Sequence, residues 1–184
     1  MKRLIIAAAA VVALGALAGC ETATPYQPLK PGATESGGYS EVKIEQDRWK
    51  VTFQGNSMTS RNTVETYLLY RAAELTVNQG DDWFETVERQ TDKHTETYAD
   101  TIGPYGPGWR PYWRYYGRGY GWRGWDPYWG GPFWADGIDV QTIERYETSA
   151  EIIMHKGPKP ADDKHAFDAR DVLSNLASKI VKPS

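Results

Sequence analysis

Three histidines and a group of acidic residues near the C-terminus are the side chains best suited to metal or acid–base chemistry. The histidines are scattered and form no HExxH or HxxxH spacing, so a helical zinc site is not supported. GxSxG and P-loop motifs do not occur either. We therefore expect no metal, no catalytic residue and no enzymatic activity. The nearest approach to a ligand cluster is His165 with Asp162, Asp163 and Asp168, which we interpret as a solvated acidic loop before a helix; the other histidines are His94 and His155.

The single cysteine, Cys20, offers a different chemistry, because its thiol can carry a thioether-linked lipid. The chain opens with Met-Lys-Arg and is then apolar over residues 4–18, which is too short for a stable transmembrane helix of about 20 residues. This pattern predicts a signal peptide at residues 1–19. Leu17-Ala18-Gly19-Cys20 resembles the bacterial lipobox at every position. The resemblance implies cleavage before Cys20, lipidation of its sulfur and acylation of its new amine; a plain secretory signal with a chance cysteine is the alternative.

Lipidation of Cys20 would hold the mature chain on a membrane, because stable anchoring takes two lipid signals and this modification supplies more than one. Glu21 stands where aspartate would be the familiar signal for inner-membrane retention. We therefore expect the periplasmic face of the outer membrane of a Gram-negative bacterium. Apart from the covalent lipid on Cys20 we expect no cofactor, and with one cysteine no intramolecular disulfide. An exported chain does not routinely meet RNA, so nucleic acid is not an expected partner.

An aromatic and arginine-rich segment, residues 103–134, is the candidate interaction surface. It holds six tryptophans, six tyrosines, five prolines and nine glycines, a density that we expect to prevent both helix and regular strand. Its four arginines oppose one acid, Asp126, within a chain of net charge −3. We expect a long loop that can be deleted without unfolding the domain. The candidate contact residues are Trp109, Arg110, Trp113, Arg114, Tyr115, Tyr116, Arg118, Tyr120, Trp122, Arg123, Trp125 and Trp129.

Four interpretations of this segment stay open. It can be a low-complexity loop that packs on its own aromatic rings without a ligand. Tryptophan and tyrosine suit the headgroup level of a bilayer, and arginine pairs with phosphate, so a membrane or another envelope protein is a second candidate. Sugar faces stack on aromatic rings, which makes peptidoglycan a third. Cation–π and aromatic pairs of about 0.5–2 kcal/mol each would allow self-association.

The remainder of the mature chain predicts one domain, residues 39–184, behind a flexible tether, residues 20–38. The tether is rich in Thr, Pro and Gly, and extended at ~3.3 Å per residue it could reach roughly 60 Å. Alternating apolar and polar residues predict strands at 39–45, Arg48–Gln54, 82–98 and 138–154.

Two helices follow the second and the fourth predicted strands. The first has an apolar stripe that runs to about residue 78 and a C-terminal cap at Gly80. Asn62 with Glu65 would form a capping box at its start, with Thr59 or Ser60 as alternative caps. Asp168 is expected to cap the second helix, with Asp171 at its third position.

One charged residue, Arg71, falls within the apolar stripe of the first helix. A charge in that position needs a partner, and we interpret it either as a structural ion pair or as a side chain whose stem is buried while its charged end reaches water. The order ββαββα predicts a two-layer α+β domain, with a four-stranded antiparallel sheet and two helices on one face. The aromatic segment would then be the long loop between the third and fourth strands. An enzyme or enzyme subunit in the periplasm, with its site on the sheet, is the alternative to a non-enzymatic binding or structural module.

A resemblance supports this interpretation. After the lipobox the chain has TPYQP at residues 24–28, then GYSE, a VTFQGN strand and turn, and a YLLYRAAELT helix. These features resemble a small family of uncharacterised bacterial envelope lipoproteins of the Caulobacter type. The resemblance covers most of the mature chain outside the aromatic segment. It implies an envelope location and a common fold, and it implies no activity, substrate or catalytic residue.

Overall fold

The computed structural model describes residues 22–30, 37–87, 108–109, 111–119, 121–125 and 143–183. Within these residues the chain forms an α+β domain with one seven-stranded sheet and two α-helices. The predicted α+β class is confirmed, and the predicted number of four strands is wrong. The elements are β1 (Gly38–Lys43), β2 (Arg48–Gln54), α1 (Arg61–Gln79), β3 (Trp83–Thr86), β4 (Tyr112–Gly117), β5 (Gly121–Trp125), β6 (Ile143–His155), β7 (Ala166–Asp168) and α2 (Ala169–Leu176), followed by a 3-10 turn (Ala177–Lys179).

The long strand β6 lies at the centre of the sheet. On one side it pairs antiparallel with β2, which pairs in turn with β1. On its other side β6 pairs with β3 along its C-terminal part and with β4 along its N-terminal part. The short strands β7 and β5 lie outside β3 and β4 respectively. As a result β3 and β4 run in the same direction, one after the other, along one edge of β6.

The aromatic segment contributes to the sheet, so the expectation that it forms only an irregular loop is wrong. β4 and β5 form a hairpin around Arg118 and Gly119, in which Trp113 lies opposite Trp125. Aromatic residues favour strands, because their side chains pack well on a pleated surface. The glycines do not interrupt β4, since Gly117 is its last residue and Gly121 begins β5.

Three of the candidate contact residues belong to the core instead of an exposed surface. Trp109, Trp113 and Tyr115 are each 1% exposed. The ring of Trp109 lies edge-on to Phe167 at 5.8 Å between centroids, and that of Trp113 lies edge-on to Tyr146 at 6.3 Å. Deletion of residues 103–134 would remove these side chains together with two strands. We therefore expect that deletion to unfold the domain, contrary to the expectation from sequence.

The helix caps show which local sequence signals predict the ends of the helices correctly. Ser60, one of the alternative caps, caps α1, because its hydroxyl accepts a hydrogen bond from the Thr63 amide at 3.1 Å. The capping box of Asn62 with Glu65 is therefore wrong. Gly80 ends α1 with φ 85°, a left-handed conformation that glycine adopts without strain, as predicted. At α2, the Asp168 carboxylate accepts from the Asp171 amide at 3.0 Å, which confirms that cap.

Both helices share one core with the sheet. α1 contacts β2, β6 and α2. The fully buried side chains of α1 include Val64 and Leu68, and those of the sheet include Val51, Phe53 and Ile152. Burial of each such side chain contributes about 1.5–3 kcal/mol.

The N-terminal residues 22–30, which were expected in the flexible tether, pack on the domain. Tyr26 is 6% exposed. Its ring lies 4.9 Å from that of Tyr39, 5.7 Å from Tyr67 and 5.2 Å from Tyr70 between centroids. Pro28 continues the contact as a parallel bridge to Tyr39. A Thr- and Pro-rich composition suggests a linker, but this linker carries an aromatic ring that the folded domain buries.

Some residues named above lie outside the described part of the chain. β3 covers the start of the predicted strand 82–98, and β6 covers the end of the predicted strand 138–154; residues 88–98 and 138–142 are not described. The candidate residues outside the description are Cys20, Arg110, Tyr120, Trp129 and the side chain of Trp125.

Candidate functional site

The outer face of the β4–β5 hairpin carries several aromatic and arginine side chains of the segment. Because side chains alternate along a strand, the buried Trp113 and Tyr115 place their neighbours in β4 on the opposite face. Pairing adds residues of β5 and β6 to that face. We call this set the arginine–aromatic platform: Tyr112, Arg114, Tyr116, Trp122, Arg145 and Glu147.

Guanidinium groups and rings alternate across the platform. The Arg145 guanidinium lies 4.5 Å from the centroid of the Tyr116 ring, and that of Arg114 lies 5.2 Å from the Trp122 ring. The Tyr116 and Trp122 rings are 5.5 Å apart and inclined at 60°. Such cation–π and aromatic contacts hold the side chains in fixed positions relative to one another.

One ion pair ties the platform to the central strand. Arg114 Nη1 lies 3.0 Å from Glu147 Oε1, across the β4–β6 pairing that places these residues opposite each other. The Glu147 side chain is 16% exposed and that of Arg114 is 41% exposed. The Arg114 guanidinium therefore contacts both the acid and the solvent, and a ligand with an anionic group can reach it.

The hairpin turn carries a further arginine. Arg118 Nε lies 3.1 Å from Glu144 Oε1. The Arg118 side chain is 91% exposed, and an exposed pair of this kind contributes little to stability, about 0–1 kcal/mol. Arg123 of β5 is also exposed. These cations are therefore available to a partner at low cost in folding free energy.

Chemically, the platform suits a partner with a flat apolar face and an anionic group. The rings offer stacking surfaces, and the guanidinium groups offer charge-assisted hydrogen bonds to carboxylate or phosphate. Among the candidates from sequence, Arg114, Tyr116 and Trp122 lie together on this face. Arg145 and Glu147 were not among those candidates. Their signal was the alternation in β6, which places both residues on the face opposite Ile152 and Met154.

A second polar cluster joins the N-terminal segment to α1. Arg71, predicted to need a partner, pairs with Glu41 at 2.7 Å and with Glu74 at 2.5 Å, so the predicted ion pair is confirmed. The Tyr26 hydroxyl donates to Glu74 at 2.5 Å, and the Arg71 guanidinium lies 4.1 Å from the Tyr39 ring. These bonds connect the N-terminal segment, β1 and α1.

Proton positions in this cluster follow from its burial and its charges. Burial lowers the pKa of the Arg71 guanidinium, but hydrogen bonds and the charges of Glu41 and Glu74 raise it by more, so its pKa lies above the ordinary value. Burial, followed by the hydrogen bond to Glu74, raises the pKa of the Tyr26 hydroxyl. Both groups therefore keep their protons at neutral pH, and the cluster is a structural network.

Glu65 is an acid buried in the core beneath the sheet. It is 3% exposed, and its Oε1 has no hydrogen-bond partner within the described residues. Burial raises the pKa of the Glu65 carboxyl to about 7, and the nearby charge of Arg61 opposes that rise. The carboxyl is therefore protonated in much of the acidic range where an exposed glutamate is ionised.

Glu65→Gln is expected to stabilise the domain near pH 8 and to change it little near pH 4. The carboxyl ionises around a pKa of 4.5 in the unfolded chain and about 7 in the folded one. The unfolded state loses its proton first, so stability falls as pH rises through that window. At ~1.36 kcal/mol per pKa unit, glutamine should raise the free energy of unfolding by about 3 kcal/mol at pH 8. Urea unfolding at both pH values measures this.

The matched control is Glu45→Gln, in the exposed turn between β1 and β2. It should change the free energy of unfolding by only a few tenths of a kcal/mol, as surface substitutions usually do within about ±0.5 kcal/mol. A stabilisation by Glu65→Gln that is equal at pH 4 and pH 8 would contradict the raised pKa.

The histidines within the described residues contact single acids. His155 stacks on Trp83 at 4.1 Å between centroids and lies 3.2 Å from Glu85. The His165 amide donates to Asp163 at 2.8 Å. In the part of the chain that the structure describes, no group of three or more His, Cys, Asp and Glu side chains is arranged to hold a metal ion. None of the described helices is both long and apolar enough to cross a bilayer.

Comparison with known proteins adds no relative to this description. The chain matches no protein-family model, no curated protein and no solved structure. A function for this chain is therefore inferred from its own residues and contacts.

Proposed function

We propose that this chain is a lipid-anchored lipoprotein of the bacterial envelope, held on the periplasmic face of the outer membrane by a lipid on Cys20. Its domain acts as a non-enzymatic binding or structural module, and the arginine–aromatic platform is its contact surface. Membership of the uncharacterised lipoprotein family is part of the same proposal. The lipobox resemblance at residues 17–20 supports the anchor, and the geometry of the platform supports the binding role.

The observation that carries the binding role is the fixed arrangement of rings and guanidinium groups on one exposed face. β4 has two faces with different tasks: Trp113 and Tyr115 hold it in the core, while Arg114 and Tyr116 face outward. A surface fixed in this way loses little conformational entropy on binding, and such preorganisation raises affinity. Tyr, Trp and Arg are also the residues most enriched where binding energy concentrates.

Three kinds of partner suit this surface: another envelope protein, lipid headgroups and peptidoglycan. Each presents either anionic groups that arginine can pair with or flat faces that aromatic rings can cover. Co-sedimentation separates them, because purified sacculi contain peptidoglycan and liposomes contain only lipid. Retention by neither, together with capture of a defined envelope protein that depends on the platform, would indicate the first kind.

The test uses the mature chain produced without lipid, carrying Cys20→Ser. A platform variant, Arg114→Gln with Trp122→Ala, is compared with Lys50→Gln, which changes a charge on the outer face of β2 away from the hairpin. We expect the parent protein to bind one envelope component and the platform variant to bind it about tenfold more weakly, equivalent to 1.4 kcal/mol. Lys50→Gln should bind like the parent.

Circular dichroism and urea unfolding of each variant establish that the domain is still folded. Binding that the platform variant leaves unchanged would contradict the role of the platform. The lipid anchor is tested separately by substitution of Cys20.

A further inference from the structure

The described chain begins very close to the proposed anchor. Thr22 is two residues after Cys20, and its carbonyl accepts a hydrogen bond from Asn56 Nδ2 at 2.7 Å. The Thr24 amide donates to Thr59 Oγ1 at 2.8 Å, and the Asn56 amide donates to Thr24 Oγ1 at 2.8 Å. We call these four residues the anchor clamp. Because a chain spans at most ~3.6 Å per residue, the Thr22 Cα lies within about 7 Å of the Cys20 Cα.

Burial shows that the anchor clamp is part of the fold. Thr24 is 2% exposed, Thr59 is 3% exposed and Asn56 is 6% exposed. Asn56 Oδ1 also accepts from the Thr59 hydroxyl at 2.7 Å. The clamp joins the N-terminal segment to the turn between β2 and α1. A lipid on Cys20 would therefore bring the membrane directly to this end of the domain, instead of to the end of a long tether.

The aromatic hairpin projects from the same end. β2 runs toward the anchor clamp and ends at Gln54, opposite Glu147 of β6. β6 extends past Glu147 to Ile143, which pairs with Gly117 at the end of β4. The four steps along β6 from Glu147 to Ile143 span about 13 Å at ~3.3 Å per residue. The turn at Arg118 therefore lies beyond Gln54, on the side where the anchor clamp lies.

Within the described residues, this end is rich in arginine. Arg118 and Arg123 are exposed on the hairpin. Arg61 begins α1 and lies 5.6 Å from the Trp113 ring, measured from its guanidinium carbon. Met58, next to the anchor clamp, is 59% exposed. The acid nearest to Arg118 is its partner Glu144.

The opposite end of the domain carries charges of both signs. It holds the turn between β1 and β2, the end of α1 and the end of β6. The residues there are Lys43, Glu45, Asp47, Asp81, Asp82 and Lys156. An anionic surface would therefore be attracted to the arginine-rich end in preference to the other one.

We propose that the hairpin end, comprising Met58, Arg61, Arg118 and Arg123, lies against the anionic phospholipid headgroups of the membrane that holds the anchor. This inference rests on the proposed function, because the lipid on Cys20 brings the membrane to the anchor clamp. Guanidinium groups pair with lipid phosphates, and Met58 contacts the interface beside the clamp. The plane of the platform then stands roughly perpendicular to the bilayer. Its side chains point sideways, where they are open to a further partner.

The test uses the full mature lipoprotein, purified with its lipid and inserted into vesicles of phosphatidylethanolamine with phosphatidylglycerol. Met58→Cys and Asp47→Cys each introduce one free thiol, since the sulfur of Cys20 is occupied by lipid. Each thiol carries a small fluorophore, and the vesicles contain phospholipid with a nitroxide on the headgroup. Because β2 separates the two positions by about 20 Å, we expect the fluorophore at position 58 to be quenched at least about threefold more strongly.

A longer linker separates the effect of the arginines from that of the short connection. Twenty Gly and Ser residues inserted between Glu21 and Thr22 give a flexible reach of roughly 25 Å. With this linker we expect selective quenching at position 58 to persist on the anionic vesicles and to disappear on phosphatidylcholine vesicles. Arg118→Glu with Arg123→Glu should abolish it on the anionic vesicles. Lys43→Glu with Lys156→Glu, the matched change at the opposite end, should leave it unchanged.

The outcomes distinguish this inference from the function on which it rests. Mass spectrometry that finds no acyl group on Cys20 would overturn the proposed anchor. A lipidated protein whose two positions are quenched equally would overturn the orientation and leave the anchor intact. If selective quenching at position 58 in the protein with the longer linker is unchanged by Arg118→Glu with Arg123→Glu, the role of the arginines is overturned.

Discussion

Cys20→Ser is expected to abolish lipidation of this chain and its cleavage before position 20. A serine hydroxyl cannot form the thioether that the lipobox resemblance implies, and Cys20 is the only thiol in the chain. The expected loss is complete, because the diacylglyceryl group and the N-acyl chain both depend on that residue. Since each buried methylene is worth about 0.8 kcal/mol, the loss of these acyl chains should also release the domain from the membrane.

Labelling cells with radioactive palmitate and measuring the mass of the mature protein check this prediction. Gly19→Ala is the matched control, because alanine is as acceptable as glycine where a small residue is needed before the cleavage site. It should be labelled and processed normally. Palmitate labelling and membrane retention that persist in Cys20→Ser would exclude the lipid anchor, and with it the orientation of the domain on the bilayer.

Trp113→Ala is expected to lower the free energy of unfolding by about 3–5 kcal/mol, the usual cost of removing a buried tryptophan. Trp113 is 1% exposed, lies opposite Thr148 of the central strand and packs on Tyr146 and Arg61. Its removal leaves a cavity between the hairpin and α1. A loss of that size is a large share of the stability of an ordinary domain, about 5–15 kcal/mol.

Urea unfolding of the mature chain measures this loss. Trp122→Ala is the matched control, because Trp122 is a partly exposed tryptophan on the outer face of the same hairpin, where its ring contacts Tyr116 and the Arg114 guanidinium. One such aromatic contact is worth about 0.5–1.5 kcal/mol. Equal and small effects of the two substitutions would mean that the aromatic segment lies outside the core.

We therefore expect side chains on the buried face of β4 to determine stability and side chains on its outer face to determine binding. Substitutions of Trp113 or Tyr115 should act on the free energy of unfolding, because these side chains are buried. Substitutions of Arg114 or Tyr116 should act on binding, because their side chains lie on the platform. A residue-by-residue contrast of this kind is more informative than removal of the segment, which would combine both effects.

Short-range patterns in the sequence were sufficient to predict the positions of several structural elements. The alternation of Trp49, Val51 and Phe53 identified β2, and Gly80 identified the end of α1. Asp168 identified the start of α2, where its carboxylate accepts from an amide three residues later. The need of Arg71 for a partner was also visible, because its position in an apolar stripe implies burial. In each case the deciding contact lies within a few residues or follows from one periodic face.

The hairpin β4–β5, the docking of residues 22–30 and the burial of Glu65 depend on contacts between residues far apart in the chain. β4 is a strand because β6 offers a free edge opposite Trp113 and Tyr115, although the glycines and prolines of the surrounding segment favour a loop. Tyr26 is fixed because Tyr39, Tyr67 and Tyr70 surround it. The lipobox resemblance depends on four consecutive residues, whereas the side of the domain that we propose to lie against the membrane follows only from where the folded sheet places its strand ends.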